Sequence, residues 1–252
     1  MERRGGKMAE IDLTGKVAIV TGASRGIGRT IALALAERGA TVVGTARTMD
    51  VSPGTGGTLR ETFEVMVAAG GQGFALPVDI AREQGATYLV DRTVKTYGKI
   101  DILVNNAGVY PEGKIVETEL KAWQDALMVN VTAPFLMCKA ALPHMIEEGV
   151  GNILNVSSGS AVNYGVGRVV YSTTKAGLER FSEFLAEEVR NNGVAVNAWR
   201  PGLIKTDMTE QRGDDPSVVV PSVMWTVTQT PATFTGNTVR RDGFGKDWGP
   251  KA

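Results

Sequence analysis

Short apolar runs alternate with amphipathic stretches along nearly the whole chain. The run Lys16–Thr21 is typical of a buried strand, and Gly26–Arg38 places Ile27, Ile31 and Leu35 four residues apart on one helix face. Further strand-type runs lie at 41–45, 73–78, 100–104, 152–156, 194–199 and 238–240. Helical patterns lie at 82–97, 119–147 and 171–190, and two more helices are predicted to begin at residues 58 and 215. This alternation predicts an α/β fold, a doubly wound parallel sheet of about seven strands with helices on both faces.

Local signals refine the helix boundaries. Thr58 and Glu61 have the spacing of a capping box, and Asp215-Pro216 has the form of an N-cap followed by a first-turn proline. Pro134 and Pro143 are expected to bend or interrupt the long helix at 119–147.

The chain shows no linker and no break in composition, so we expect a single domain over residues 11–252. The charged stretch 1–10, which has no hydrophobic signal core, is expected to be a disordered lead-in.

Charge and composition exclude several classes of protein. With 27 basic and 27 acidic residues the net charge is zero, which argues against a dedicated nucleic-acid binder and a polybasic membrane-surface protein. No apolar run approaches the length of a membrane span, so we expect a cytoplasmic protein. Because Cys138 and His144 are the only cysteine and histidine, an intrachain disulfide and a three-histidine zinc site are both excluded, and no metal is expected.

A glycine-rich turn follows the first strand directly and opens a helix. Its sequence, TGASRGIG at 21–28, has the spacing G-x3-G-x-G. Glycines allow a tight turn and let a pyrophosphate approach the backbone amides at the helix N-terminus, where the helix dipole favours anions. The alternative interpretation is a purely structural turn.

Two further positions carry candidate acid–base chemistry. Tyr171 and Lys175 lie on one face of a helix, and a neighbouring ammonium lowers a tyrosine pKa from its usual value of about 10, so Tyr171 could act as a general acid or base. Ser158 follows the apolar run 152–156, where its hydroxyl could hold a carbonyl oxygen. A solvated helix face is the alternative for the Tyr–Lys pair, and Ser157 and Ser160 are interpreted as turn residues.

Together these residues resemble the short-chain dehydrogenase/reductase family. Beyond the glycine-rich turn, the resemblance rests on NNAG at 105–108, Asn130 within MVNVT, Ser158, the pair Tyr171 and Lys175, and PGLIKT at 201–206. It implies a Rossmann fold and hydride transfer between NADP(H) and a carbonyl or secondary alcohol substrate. In that mechanism Tyr171 exchanges the proton and Ser158 holds the substrate oxygen. Lys175 binds the nicotinamide ribose and lowers the Tyr171 pKa, and Asn130 anchors a water in a proton relay.

The resemblance also implies a set of cofactor contacts. Asp79 is expected at the adenine amino group, although it could instead cap the following helix. The second strand ends in Thr45-Ala46-Arg47 without the acid that NAD enzymes use, so Arg47 and Arg25 could flank a 2′-phosphate and NADP(H) is favoured, unless both arginines are merely solvated. The expected contacts are Gly22, Ser24, Arg25, Gly26, Ile27, Gly28, Arg47, Asp79, Ile80, Asn106, Ala107, Gly108, Tyr171, Lys175, Pro201, Gly202, Ile204 and Thr206.

Assembly and substrate are less closely defined by the sequence. The family usually pairs its two long helices across two-fold axes, so we expect a homotetramer or a dimer. Only Asp207–Asp214 separates PGLIKT from the last helix, so the lid over the site is small, and a tail bearing Phe244 and Trp248 could cover a neighbouring subunit's site or pack on its own domain. Two alternative functions are a 3-oxoacyl-carrier-protein reductase and a catalytically silent cofactor-sensing regulator, which has no need for the intact Asn130, Ser158, Tyr171 and Lys175.

Overall fold

The computed structural model describes residues 11–50 and 57–251. The predicted lead-in at 1–10 lies outside the described residues, and the prediction of one domain over 11–252 stays a prediction. The described strands are β1 Val17–Thr21, β2 Thr41–Ala46, β3 Gln72–Pro77, β4 Ile102–Asn105, β5 Gly151–Val156, β6 Val194–Arg200 and β7 Thr238–Arg240. The described α-helices are α1 Gly26–Ala36, α2 Leu59–Ala68, α3 Glu83–Tyr97, α4 Leu120–Leu127, α5 Ala133–Glu148, α6 Val169–Val189 and α7 Val220–Val227.

All seven described strands form one parallel sheet in the order β3-β2-β1-β4-β5-β6-β7. The central strands are in register through pairs such as Ile19 with Leu103 and Leu103 with Ile153. The strand order reverses between β1 and β4, which places a ligand crevice at the carboxyl ends of those strands. The predicted doubly wound sheet is confirmed.

Helices bury both faces of this sheet. On one face α1, α2 and α7 pack through residues such as Ile31, Phe63 and Met224. On the other face α3, α5 and α6 pack through residues such as Leu89 and Met137. Because both faces are covered, the central strands β1, β4 and β6 are apolar at most positions, and they appear in the sequence as short apolar runs.

The helix boundaries follow the local signals with one exception. The Thr58 side chain accepts a hydrogen bond from the Glu61 amide at 2.9 Å, and Asp215 accepts one from the Ser217 amide at 2.9 Å. Pro143 lies inside α5 without ending it, because Pro143 and Lys139, whose carbonyl loses its partner, are both exposed and water can serve that carbonyl. The irregularity lies instead in the π-helical turn Met128–Thr132, directly before α5.

Among the described residues one helical run, Leu120–Glu148, is long and apolar enough to cross a membrane when judged by length and composition alone. Its inward side chains, including Met137, Ala141 and Met145, are buried in the core that α3 and the sheet share. A core helix meets the same criteria of length and composition, and this packing accounts for the apolar sequence.

The C-terminal tail packs on its own domain. The Trp248 ring lies 5.8 Å from that of Trp225, 5.7 Å from that of Phe234 and 5.0 Å from that of Phe244, measured between centroids. The indole nitrogen of Trp248 donates to the Arg240 carbonyl at 2.7 Å. Of the two interpretations of the tail, the described chain therefore shows the intramolecular one, because the aromatic rings bury each other.

Candidate active site

The candidate site residues converge on one edge of the sheet. Each predicted group follows the carboxyl end of a strand, except those in the π-helical turn and α6, which lie beside the same edge. Strand order therefore brings together groups that are up to 184 positions apart in the chain, from Gly22 to Thr206.

The glycine-rich turn has the geometry of an anion-binding turn. Gly26 adopts a φ of +55°, and a Cβ on Gly28 would lie 2.2 Å from the Gly22 carbonyl oxygen. The N-cap of α1 is Arg25, which makes no capping hydrogen bond, and the first turn of the helix carries no acidic residue. The first amides of α1 are thus left for an anionic ligand, and this part of the chain fits a dinucleotide pyrophosphate.

Asn106 ties this turn to the end of β4. Its side-chain amide donates to the carbonyls of Thr21 at 2.9 Å and Gly22 at 3.2 Å. The backbone amides of Asn106 and Ala107 donate in turn to the Thr21 hydroxyl at 2.9 and 3.0 Å. Asn106 therefore closes a turn, and in doing so it fixes Ala107 and Gly108 beside the glycine-rich turn.

The predicted adenosine contacts lie along the ends of β2 and β3. Arg47 is exposed directly after β2, and Ile80 is buried. The Asp79 carboxylate accepts from the Ala81 amide at 3.1 Å and pairs with Arg82 at 3.3 Å, while its side chain remains about half exposed. Asp79 thus stabilises a local turn before α3 and still presents a carboxylate at the sheet edge.

The segment after β6 lies against the glycine-rich turn. A Cβ on Gly26 would come within 2.9 Å of the Thr206 methyl group, and Arg25 forms an ion pair with Asp207 at 3.2 Å. Glu210 and Gln211 have φ values of +52° and +61°, a left-handed conformation that costs free energy in residues other than glycine. A cleft of about 270 Å³ between the two segments is lined by Arg25, Gly26, Arg29, Thr30, Lys205, Thr206, Asp207, Gln211 and Pro216.

Tyr171 and Ser158 lie together inside the site. Tyr171 is only 7% exposed, and burial raises its pKa to about 12, although its hydrogen bond with the Ser158 side chain acts in the opposite direction. The Ser158 hydroxyl also accepts from the Ser160 amide at 3.1 Å. The Tyr110 ring packs edge-on against Tyr171 at 4.8 Å and completes the enclosure.

The Lys175 ammonium lies 5.7 Å from the centroid of the Tyr171 ring and donates to the Val156 carbonyl at 2.8 Å. Lys175 is 4% exposed, and burial lowers its pKa to about 8, while the charge of Glu179 acts to raise it. The sequence predicts a Tyr171 pKa lowered by Lys175. In the described chain the Tyr171 pKa is raised instead, because withdrawal of the phenol from water outweighs the opposing effect of its hydrogen bond with Ser158.

Asn130 lies in the π-helical turn with a fully buried side chain. Its amide nitrogen donates to the Val109 carbonyl at 2.9 Å and to the Thr174 hydroxyl at 3.0 Å, and its oxygen accepts from the Val109 amide at 2.8 Å. Both donors are in use, so a water could be held only by the remaining lone pair of the oxygen. Asn130 thus joins the segment after β4 to α6.

Several residues at this site carry no signal in the sequence that led to them, or only a weak one. Tyr110 follows NNAG by two positions, and no local signal shows that its ring meets Tyr171. Ser157, interpreted as a turn residue, donates instead to the buried carboxylate of Glu179 at 2.6 Å. Glu179 stands four positions after Lys175, so helical spacing was the available signal. Among the described residues, no group of three or more histidine, cysteine, aspartate or glutamate side chains could hold a metal ion.

Comparisons with known proteins show the family and the fold of this chain. The family described as short chain dehydrogenase matches residues 16–217. A 3-oxoacyl-(acyl-carrier-protein) reductase, FabG, of Vibrio harveyi is 40% identical over 209 residues, covering 81% of this chain and 80% of the relative. Glucose 1-dehydrogenase 2 of Bacillus subtilis is 35% identical, covering 92% and 95%. The crystal structure of a metagenomic short-chain oxidoreductase in complex with NADP has a TM-score of 0.80 and 33% identity, covering 90% of this chain and 98% of that one.

Proposed function

This chain belongs to the short-chain dehydrogenase/reductase family, as an NAD(P)-dependent oxidoreductase acting on CH–OH groups, and we propose that it reduces a carbonyl substrate with NADPH through Tyr171. The observation that carries the proposal is the enclosure of Tyr171, Ser158 and Lys175 at the sheet edge where the glycine-rich turn lies. When bound, NAD(P)H supplies the hydride. The residues of this chain bind the cofactor, orient the substrate and protonate the substrate oxygen.

In this proposal Tyr171 donates its phenolic proton to the substrate oxygen as the hydride reaches the carbonyl carbon. Ser158 donates a hydrogen bond to the same oxygen and stabilises its developing negative charge. A Tyr171 pKa of about 12 keeps the phenol protonated near neutral pH, which suits the reductive direction. Asn130 holds the segment after β4 against α6, and its role in a water relay stays a prediction.

Lys175 is proposed to bind the nicotinamide ribose with the donors that its bond to Val156 leaves free. The turn from Gly22 to Gly28 is proposed to bind the pyrophosphate, and Asp79 with Ile80 the adenine. Asn106, Ala107 and Gly108 are proposed to lie along the adenosine ribose. Pro201, Gly202, Ile204 and Thr206 are proposed to contact the nicotinamide.

The preference for NADPH rests on charge at the end of β2. Arg47 is exposed there, and Arg25, which is exposed in the glycine-rich turn and paired with Asp207, is the second guanidinium group proposed to bind a 2′-phosphate. No acidic residue follows β2 directly to bind a ribose 2′-hydroxyl.

The substrate is proposed to carry an apolar substituent. The exposed side chains on the segments that border Tyr171 include large apolar groups, as do those after β6. These are Val162, Tyr164, Val166, Leu203 and Met208. A 3-oxoacyl thioester has such a substituent, and several of the similar proteins are named as reductases of that substrate, so carrier-protein reduction is the second candidate.

We propose that the enzyme works in the cytoplasm as a homotetramer or dimer paired through α4, α5 and α6. Of the apolar residues on α6, Leu178, Leu185 and Val189 are buried within the described chain, whereas Phe184 is 56% exposed. Exposed Phe135 on α5 extends the same unburied surface. Light scattering at micromolar concentration is expected to give a dimer or tetramer, and a monomer would contradict the pairing.

The test of the proposed function is oxidation of NADPH in the presence of a carbonyl panel. The panel contains aliphatic and aryl ketones, a 3-oxoacyl thioester in free and carrier-bound form, and an aldose. Turnover of the apolar ketones or the thioester is expected, and a strong preference for the carrier-bound thioester would select the second candidate. Binding of NADPH without turnover of any carbonyl would support the cofactor-sensing regulator instead.

A further inference from the structure

A buried carboxylate lies one helical turn beyond Lys175. Glu179 is 7% exposed, and its Oε1 accepts hydrogen bonds from the Ser157 hydroxyl at 2.6 Å and from Arg200 Nε at 2.7 Å. Its Oε2 accepts from Arg200 Nη2 at 2.7 Å. The Arg200 side chain is itself only 15% exposed, so this is a bidentate ion pair largely withdrawn from water.

Glu179 and its two partners lie on three different segments of the site. Ser157 directly precedes Ser158 at the end of β5. Arg200 ends β6 and directly precedes Pro201. Glu179 itself lies on α6, four residues after Lys175 and eight after Tyr171. One carboxylate therefore connects the helix that carries the tyrosine and lysine to both strand ends that carry the serine and the proline–glycine turn.

Glu179 also bears on the charge of Lys175. The Lys175 ammonium meets the Tyr171 ring and the Val156 carbonyl, and the charged group acting on it is Glu179, which opposes the effect of burial. Arg200 is paired with that carboxylate, and its own charge is stabilised by Glu179 and by Glu183. The carboxylate therefore favours the Lys175 ammonium, and the guanidinium keeps this buried carboxylate ionised.

We propose that Glu179 is a positioning residue for the reaction, joining Ser157, Arg200 and α6 into one unit and keeping the Lys175 ammonium charged for cofactor binding. The proposal rests on the roles proposed above for Tyr171, Ser158 and Lys175. A buried ion pair with only a structural role would set stability and nothing else. A positioning pair also sets the pH at which Lys175 ceases to act and the rate at which bound substrate reacts.

The experiment follows kcat/KM for NADPH against pH at saturating ketone, because this parameter reports ionisations of the free enzyme. The readout is the alkaline limb of this pH profile, the fall in kcat/KM at high pH, which is expected near the Lys175 pKa of about 8. Glu179→Gln removes the negative charge and is expected to move the limb to lower pH by about one unit. Arg200→Met leaves the buried Glu179 carboxylate without its counter-ion and favours its neutral form, so it is expected to move the limb to lower pH as well.

The double variant with Glu179→Gln and Arg200→Met is expected to move the limb no further than Glu179→Gln alone, because the carboxylate that Arg200 keeps ionised is already absent. Because both single substitutions remove the negative charge beside Lys175, either one decides the point if the other fails to fold. Ser157→Ala removes one hydrogen bond without changing charge. It is expected to lower kcat on the order of tenfold while leaving the limb in place.

The matched control is the buried ion pair at the other end of the sheet. Asp101 is 5% exposed and pairs with Lys16 at 3.0 Å and Lys99 at 3.1 Å, far from the carboxyl ends of the strands. Asp101→Asn is expected to lower the melting temperature without moving the limb.

A limb that stays in place in both Glu179→Gln and Arg200→Met would overturn the proposal, as would an equal shift in Asp101→Asn. The proposed function fails separately, if Tyr171→Phe keeps normal turnover. Loss of turnover in Tyr171→Phe together with an unmoved limb in both single variants would refute only the role of Glu179.

Discussion

Arg25 and Asp207 form an ion pair at 3.2 Å that joins the glycine-rich turn to the segment after β6. Asp207 also accepts from the Gln211 side chain at 2.9 Å, within a segment that holds two non-glycine residues in the left-handed conformation. The arginine expected at the 2′-phosphate is thus already paired with a carboxylate of this chain. A 2′-phosphate at Arg25 would compete with that carboxylate.

This competition makes Asp207→Asn informative. The variant leaves Arg25 available to the phosphate, so kcat/KM for NADPH is expected to rise about two- to fivefold, the modest gain that a partly exposed ion pair allows. The value for NADH, which lacks the phosphate, serves as the control and is expected to stay unchanged. An equal rise in kcat/KM for both cofactors would show that the substitution acts through the mobility of the segment after β6 and not through phosphate binding.

Arg47 is expected to determine the choice of cofactor. The wild-type protein is expected to show a higher kcat/KM with NADPH than with NADH, and Arg47→Asp is expected to move that ratio toward NADH by adding a carboxylate at the end of β2. Arg82, which is exposed beyond the end of β3 and paired with Asp79, offers a matched control in Arg82→Ala. A wild-type preference for NADH would reject the assignment.

Tyr171→Phe tests the proton donor directly. The variant keeps the ring that packs against Tyr110 and removes the phenolic proton, so kcat is expected to fall on the order of 10²–10⁴-fold with cofactor binding retained. Tyr110→Phe is the control, because it changes the neighbouring ring in the same way. Cofactor binding is followed by fluorescence titration, and near-normal turnover in Tyr171→Phe would contradict the mechanism.

The pKa shifts of Lys175 and Tyr171 predict opposite pH dependences for the two directions of reaction. Lys175 has a lowered pKa of about 8, so its ammonium is present below that pH and is lost as pH rises through it, and reductive kcat/KM for NADPH is expected to fall above it. Tyr171 has a raised pKa of about 12, so the phenolate needed for oxidation increases throughout the same range and the oxidative rate is expected to rise with pH. Initial rates in both directions between about pH 6 and pH 10 check this. If the chemical step is rate-limiting and the oxidative rate does not change with pH, the role of Tyr171 as general acid or base is contradicted.

The tail is expected to contribute to stability and not to substrate binding. Trp248→Ala removes contacts with three aromatic rings and a hydrogen bond to the Arg240 carbonyl, and is expected to lower the free energy of unfolding by about 1–3 kcal/mol. Chemical denaturation measures the loss, and the KM for the best ketone is expected to stay constant. A raised KM with unchanged stability and an intact oligomer would favour a tail that covers a neighbouring site.

The sequence by itself determined the order of strands and helices and the position of every motif along the chain. These features depend on local patterns: the central strands β1, β4 and β6 are apolar at most positions, Thr58 and Glu61 cap a helix through residues three apart, and the glycine spacing is required by close backbone contacts within one turn. Sheet order then places the motifs at one edge, because parallel strands present their carboxyl ends on the same side.

Only the tertiary structure decided what surrounds each of those residues. The Tyr171 pKa is raised because the phenol is withdrawn from water by Tyr110 and other neighbours distant in sequence, which no local spacing of tyrosine and lysine shows. Pro143 is accommodated because its part of α5 faces solvent, and the tail folds back because Trp225 and Phe234 offer it aromatic surface. The role of Ser157 likewise follows from a carboxylate 22 positions away. Burial and charge balance are sums over residues that the fold brings together, so they become defined only once the chain has folded.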